Sequence, residues 1–412
     1  MPPAIALDDP QPLLAPLTDL RPTFDVRTGA LTTLERWTRA LDLDILALSV
    51  RPELADLAAE QHHKPVNRAP VSLPAAVLIF SGRAALPPEG LDALALGESI
   101  VEAGTGHLIA AMVSGADAAR VLTEPGFLPA LRAVRSIDST PAAPALLSRP
   151  WHVRAFRDRA IAFDLDLLTE DLGEPIPPGV TRIGTHPVTI HVPAKLSPTV
   201  VLDTEQGPIW IGPRAIIRPG AILVGPCAIG AGTSILERTL IKPNTAIGPG
   251  CKVAGEVGGT IFQGLANKAH DGHLGDSYVG EFANLGAGTT NSNLLNTYTE
   301  VIAKAAPQAS NERTGQTFLG AIIGDHVKFA INSRIMTGAV LHTGSMFATT
   351  APVSGCVAPF TWATDAGHRA FRLDKFLEVA RAVLARRNLE LSPAMLARLT
   401  QLHSQPQNTS QA

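Results

Sequence analysis

Between residues 267 and 293 the chain reads NKAHDGHLGDSYVGEFANLGAGTTNSN, a dense group of side chains able to do chemistry. His270 and His273 stand three apart, Lys268 precedes them, and Asp271 and Asp276 follow closely. Asn284, Asn291 and Asn293 come next, among glycines that allow a ligand close approach. An imidazole titrates near neutral pH, so a histidine here can take a proton from an attacking group. A positioned base of that kind contributes roughly 10²–10⁴-fold. The same residues have structural roles open to them. His273 can be a satisfied core histidine, Asp276 can cap a corner, and asparagines suit left-handed turns.

The elements that position this segment follow from a strict period of six. Ile211, Ile217, Leu223, Ile229, Ile235, Ile241, Ile247 and Val253 recur without a miss. Four residues after each stands a slim one: Ala215, Ala221, Cys227, Thr233, Thr239, Thr245, Cys251 and Val257. Neither the helical period of 3.6 nor the strand period of 2 gives this pattern. A hexapeptide left-handed parallel β-helix does, with three short strands closing each triangular coil. Earlier and later tracts (Ile190, Leu196, Leu202; Ile323, Phe329, Ile335, Leu341, Phe347, Val353) extend it. After Val253 the frame slips and resumes as Ile261, Asn267, His273, Val279 and Leu285, which places Asn267 and His273 at inward positions. Between Asn291 and Ile322 the pattern fails, as expected of a long loop leaving a corner. A polar residue in an aliphatic frame breaks the local rule, and functional sites are where such breaks are expected.

The chain has 412 residues, 45% hydrophobic and 17% charged, with a net charge of −3. No basic excess points to nucleic acid, and no run of 18 apolar residues points to a membrane span. The opening MPPAIALDDPQP lacks a basic and apolar leader, so a cytoplasmic location is expected. Cys227, Cys251 and Cys356 fit neither a disulfide framework nor a zinc spacing. Residues 1–170 mix buried-strand and helical patterns, with AAVLIFSG as a strand and Thr32 with Glu35 as a capping box, and predict an α/β domain. Residues 171–185 predict a Pro- and Gly-rich linker and 186–360 the β-helix. Residues 361–412 predict a helical tail, with Ser392-Pro393 opening its second helix and SQPQNTSQA disordered.

Lys268-Ala269, His270, Leu274-Gly275-Asp276 and Asn284-Leu285-Gly286-Ala287-Gly288-Thr289 resemble the acetyltransferase half of a known enzyme family. That family is the bifunctional N-acetylglucosamine-1-phosphate uridyltransferase/glucosamine-1-phosphate N-acetyltransferase. With NKAHDG, NSNL and Pro359 to Trp362, the whole chain resembles a divergent, sugar nucleotidyltransferase-like branch of it. The resemblance implies acetyl transfer from acetyl-CoA to an amino sugar phosphate, in UDP-N-acetylglucosamine-type nucleotide-sugar biosynthesis. It implies His270 as base, with Glu256 orienting or polarising it. It also implies Lys268 facing a phosphate, and Asn284 and Asn293 holding hydroxyls or the amine. Asp271 and His273 are further candidate substrate contacts. It implies a homotrimer with the site between prisms, and small-molecule partners only. Two departures stand out: the family's tyrosine is His273, and its phosphate-binding lysine aligns with Gly258. Arg218, in an RPGA string, lies too far upstream to be the family's phosphate arginine.

In the first domain Pro16-Leu17-Thr18 and Pro22 resemble the opening of sugar-1-phosphate nucleotidyltransferases, where Thr18, Arg21 and Arg27 become candidate nucleotide contacts. The Gly-rich turn is replaced by DDPQP, the lysine by Thr23, and the strand-end Gly-Asp that holds Mg²⁺ by Ser81-Gly82-Arg83. Mg²⁺ and UTP are therefore implied only for a working first domain, and nucleotidyl transfer is expected to be the weaker activity. The same residues fit two other readings. One is a γ-type carbonic anhydrase holding zinc with His270, His273, His326 or His342; the other is a non-catalytic sugar-nucleotide binder.

Overall fold

The computed structural model describes residues 1–9, 12–169 and 173–405. The expected disordered end from residue 406, part of the DDPQP string and the first residues of the expected linker lie outside them.

The first domain is an α/β layer structure. Strands β1 (Pro3–Leu7), β2 (Asp44–Ser49), β3 (Ala76–Ser81), β4 (Glu98–Glu102), β5 (Leu108–Ser114) and β6 (Arg132–Ile137) form one sheet in the order β2-β1-β3-β5-β4-β6. All run parallel except β5. Alternation sorts the strand residues between two cores, as a sheet covered on both faces requires. Ile5, Ala47, Val77 and Ile79 pack with α3 (Gly115–Thr123), while Ala4, Ala6, Leu48 and Phe80 pack with α1 (Thr33–Leu41) and α2 (Ala55–His62). The Thr32–Glu35 capping box opens α1, and Trp37 stacks on Phe80 at 4.5 Å.

The second part is a parallel β-solenoid. Ile217 pairs with Ile235, Leu223 with Ile241 and Ile229 with Ile247, so equivalent inward residues lie eighteen apart, three hexapeptides per coil. The aliphatic series is buried, and the slim threonines satisfy their hydroxyls locally: Thr233 donates to the Gly248 carbonyl and Thr245 to that of Lys242, both at 2.8 Å. The first coil strand, Thr181–Ile183, lies within the segment expected as linker. The last strands, Thr361–Thr364 and Gly367–Ala370, run past the expected end of the solenoid. Helices α5 (Leu373–Ala385) and α6 (Pro393–Ser404, capped by Ser392) follow, after α4 (His152–Thr169) of the first domain.

The slip after Val253 is where the predicted frame needs correction. Ile247 pairs with Phe262, Val253 with Lys268 and Val257 with Leu274. The inward residues are thus Phe262, Lys268 and Leu274, one position beyond those expected, and Asn267 and His273 face outward. A one-residue error of register turns every side chain to the other surface of a strand. The charged side chain turned into the prism at the slip is Lys268. Its ammonium donates to the carbonyls of Ala254 (3.0 Å) and His270 (2.9 Å), and burial lowers its pKa to about 8.

Three faces result. The domain face, nine strands from Val188–Ile190 to Cys356–Val357, carries Ala228, Ala246, Ile261, Tyr278, Ile322 and Val340 outward. All are buried, because α4 lays Ile161 and Leu165 on the two alanines and the loops of the first domain cover the rest. A second face carries Ile216 and Asn267, and midway along it Arg387, just past α5, bonds Asn267 and the Gly250 carbonyl. The third, here called the open face, runs from Thr181–Ile183 through Ile222–Val224, Leu240–Ile241 and Glu256–Gly258 to His273–Gly275. There Asn291 replaces strand hydrogen bonds, accepting from the Gly275 amide and donating to its carbonyl. Beyond it the chain leaves the prism, forms the hairpin of Ile302–Ala303 with Glu312–Arg313, and returns at Gly320.

Candidate active site

The motif wraps the corner between the second face and the open face. His270 and Asp271 are exposed on the corner, and the chain then turns onto the open face at His273. Glu256 is the parallel neighbour of His273 one coil earlier, so their outward side chains meet: His273 Nδ1 lies 3.3 Å from Glu256 Oε1. Lys242, a further coil back, also bonds Glu256. That bond, with the nearby His273, holds the Glu256 carboxyl below the usual range against the opposing effect of its slight burial.

Beside this group the strand carries no side chains. A Cβ on Gly275 would lie 2.7 Å from both His273 Nε2 and Asn293 Nδ2, and one on Gly258 would lie 3.0 Å from Lys242 Cβ. The two glycines floor a cleft of about 250 Å³, lined also by Arg157, Lys242, His273, Asp276 and Asn293. Asp276, at a left-handed corner (φ 47°), accepts from Asn293 at 2.7 Å and from Arg157 of α4 at 2.6 Å. Arg154 of the same helix stands 3.0 Å away.

The structure thus brings together Glu256, His273 and Asn293 of the expected residues. His270 and Asp271 stand exposed on the corner, outside the lining of the cleft and without a side-chain hydrogen bond among the described residues. Lys268 is enclosed by backbone carbonyls and does not line the cleft. Asn284 lies on the second face between Asn267 and Lys328, away from Asn293. Sequence reasoning missed Lys242 and Arg157. Lys242 was legible in principle, since the coil register sets it beside Gly258, where the lysine aligned with the resemblance is absent. Arg157 reaches the site from another domain and left no sequence signal.

The first-domain candidates do not form a nucleotide cradle. Arg21 is buried and bonds Glu281 (3.1 Å) and Asp325 (2.9 Å) of the solenoid. Arg27 bonds the Gln263 carbonyl, and Thr18 is buried. The loop that carries all three is docked on the domain face, so the guanidiniums are already neutralised or capped. At the end of β3, Arg83 bonds Asp9, and Asp8 accepts from the Thr23 amide and from Arg51. A guanidinium stands at the strand-end position where the resemblance calls for a metal carboxylate, so the residues present do not fit Mg²⁺. Among the described residues no group of three or more His, Cys, Asp or Glu side chains could hold a metal. His326 is stacked on Phe282 and meets Phe376 edge to face, and His342 is buried with its Nε2 3.6 Å from the Cys356 sulfur. Neither lies with His270 and His273 on the outer corner. A second cavity of about 290 Å³ lies at the carboxyl ends of β4 and β6, lined by Glu102, Thr105, Ser139, Arg149 and His152, and walled by Glu312 and Arg313 of the solenoid hairpin. No helix of the described residues is long and apolar enough to cross a membrane.

Residues 5–172 match the sugar nucleotidyl transferase family model. A bifunctional sugar-1-phosphate nucleotidylyltransferase/acetyltransferase of Sulfurisphaera tokodaii is 31% identical over 127 residues, 31% of this chain and 26% of that protein. The bifunctional protein GlmU of a Cyanothece species is 28% identical over 135 residues, 28% of this chain and 30% of that protein. Over these stretches the chain is similar to these proteins. Its matches span about a quarter to a third of their length. Among solved structures, a hexapeptide transferase family protein from Anaplasma phagocytophilum aligns with 55% of this chain and 97% of its own, at 16% identity and a TM-score of 0.19. An Arabidopsis UDP-N-acetylglucosamine acyltransferase aligns with 56% and 90%, at 12% identity and a TM-score of 0.21.

Proposed function

We propose that this GlmU-like chain transfers an acetyl group from acetyl-CoA to the amine of an amino sugar phosphate, glucosamine 1-phosphate being the first candidate. The observation that carries the reading is the Glu256–His273 pair, with Asn293, over a glycine floor on the open face of a hexapeptide solenoid. The amine nitrogen attacks the thioester carbonyl, the new N–C bond forms, and the C–S bond breaks to release coenzyme A thiol. His270 takes the amine proton: it follows the family motif, and it is exposed on the corner three residues before His273. His273, held through Nδ1 by Glu256, presents Nε2 toward the glycine floor, and Asn293 stands beside it, its amide nitrogen donating to Asp276.

A second copy completes the site. The open face exposes Ile222 beside the half-buried Val201, Val224 and Leu240, an apolar ladder leading to Glu256 and His273. A neighbouring prism seated there closes the corner that carries His270, which supports a trimer. The first domain contributes little nucleotidyl transfer, because its arginines serve the domain contact. Release of coenzyme A thiol with glucosamine 1-phosphate as acceptor tests the reading. His270→Ala is expected to lower kcat by about 10²–10⁴-fold. A near wild-type kcat would assign the proton to another group, and no acceptor-dependent thiol release from the wild-type protein would overturn acetyl transfer itself.

A further inference from the structure

We infer that the first domain serves the acyl site as a positioning scaffold: Arg157 and Arg154 of α4 fix Asp276, and Asp276 fixes the amide of Asn293. The inference rests on the acyl-transfer reading for the reaction that it assists. Arg154 and Arg157 stand three apart, on one face of α4, and both reach from the first domain to a single carboxylate of the solenoid. Arg157 Nη1 donates to Asp276 Oδ1 at 2.6 Å and to the Gly259 carbonyl, and its Nε donates to Asp158. Arg154 Nε stands 3.0 Å from the same Oδ1. The other carboxylate oxygen, Oδ2, accepts from Asn293 Nδ2 at 2.7 Å. A Cβ on Gly259 would lie 2.5 Å from Arg157 Nη1 and 3.0 Å from Asp276 Oδ1, so the bare backbone there admits the guanidinium.

An ionised carboxylate only accepts hydrogen bonds, so Asp276 decides which end of the Asn293 amide faces it: the nitrogen. The amide cannot turn end for end while that carboxylate is charged, and Asn293 meets a ligand with a defined polarity. The two guanidiniums keep the charge in place and stop the carboxylate from swinging. The backbone of the corner is held separately. The Asp276 amide donates to the Gly258 carbonyl at 3.0 Å, and its carbonyl accepts from the Gly320 amide at 2.8 Å. Asp276 therefore acts through its side chain, and a change there leaves the corner standing. Its left-handed backbone (φ 47°) suits asparagine as well as aspartate. In Asp276→Asn the oxygen of the new amide stays with the arginines and its nitrogen faces Asn293, whose own amide must invert to accept from it.

A double-mutant cycle in the acetyl-transfer kinetics of the full chain tests this. Asp276→Asn is expected to lower kcat/KM about tenfold in the wild-type background and by less than about twofold in an Asn293→Ala background, where nothing is left to position. Arg157→Met is expected to follow the same pattern, with Arg157→Lys recovering part of the loss. Equal losses in both backgrounds, the behaviour of a residue that only supports the fold, overturn the inference. If Asp276→Asn does not accumulate as folded protein, the cycle with Arg157→Lys decides. A wild-type protein without acetyl transfer overturns the acyl-transfer reading instead, and the positioning is then decided by crystal structures. In Asp276→Gly, which removes the carboxylate and fits the left-handed corner, the Asn293 side chain is expected to leave its place beside Gly275. An Asn293 side chain unmoved in that structure overturns the positioning.

Discussion

Lys268 is the residue at which local chemistry and the repeat conflict most. It occupies a position that Val253 fills one coil earlier, and burial brings its pKa from 10.5 to about 8. Between these two values the unfolded chain holds a proton that the folded chain has released, so stability rises with pH across that window. Lys268→Met, which fills the same space without the charge, is expected to raise the melting temperature at pH 7 and to flatten its rise between about pH 8 and 10. A lower melting temperature with an unchanged pH profile would show that the two carbonyl bonds outweigh the burial cost. The repeat announced an irregularity here, and the sequence placed it within one residue. Hydropathy alone could not say which of Asn267 or Lys268 turns inward, because both are polar and the strand is two residues long. Glu256 and His273 were both legible as candidates; their pairing was not, since it depends on a coil shortened at the slip.

At the scale of elements, the loop before α1 has become a docking surface. Arg21 enters the interface and meets Asp325, whose carboxyl burial raises to about 6 even with the arginine beside it, and Glu281. Asp325→Asn keeps the shape and removes a charge from a buried pair. It is expected to destabilise the chain by about 3–5 kcal/mol, read from denaturant unfolding. A loss below about 1 kcal/mol would mean that Glu281 alone suffices for Arg21. A further anchor is the pair Arg36–Asp164, fully buried and bidentate at 2.6 and 2.8 Å, which ties α1 to α4. Gly29 gives Asp164 room, since a Cβ there would lie 2.4 Å from the carboxylate. The capping box, the buried strand β3 and the serine cap of α6 were all readable, because each depends on neighbours within a few residues. The role of Arg21 was not. Its partners lie 260 and 304 residues away, and no periodicity links them.

For the whole molecule, the solenoid is a prism with one face given to the first domain and another left free beside the site. Ile222, 39% exposed on that free face, is expected to be a subunit contact. Light scattering should give a particle of three 43.2 kDa chains, and Ile222→Glu should shift it toward the monomer and lower acetyl transfer with it. A monomeric and fully active wild-type protein would place the site within one chain. The division of labour between domains is tested most directly by product analysis. Mass spectrometry would follow glucosamine 1-phosphate incubated with acetyl-CoA, UTP and Mg²⁺, each cosubstrate omitted in turn. The account predicts an acetylated sugar phosphate whose formation needs acetyl-CoA and is indifferent to UTP and Mg²⁺, with little or no nucleotide sugar. Efficient Mg²⁺-dependent formation of a nucleotide sugar, with no acetylated product, would contradict it.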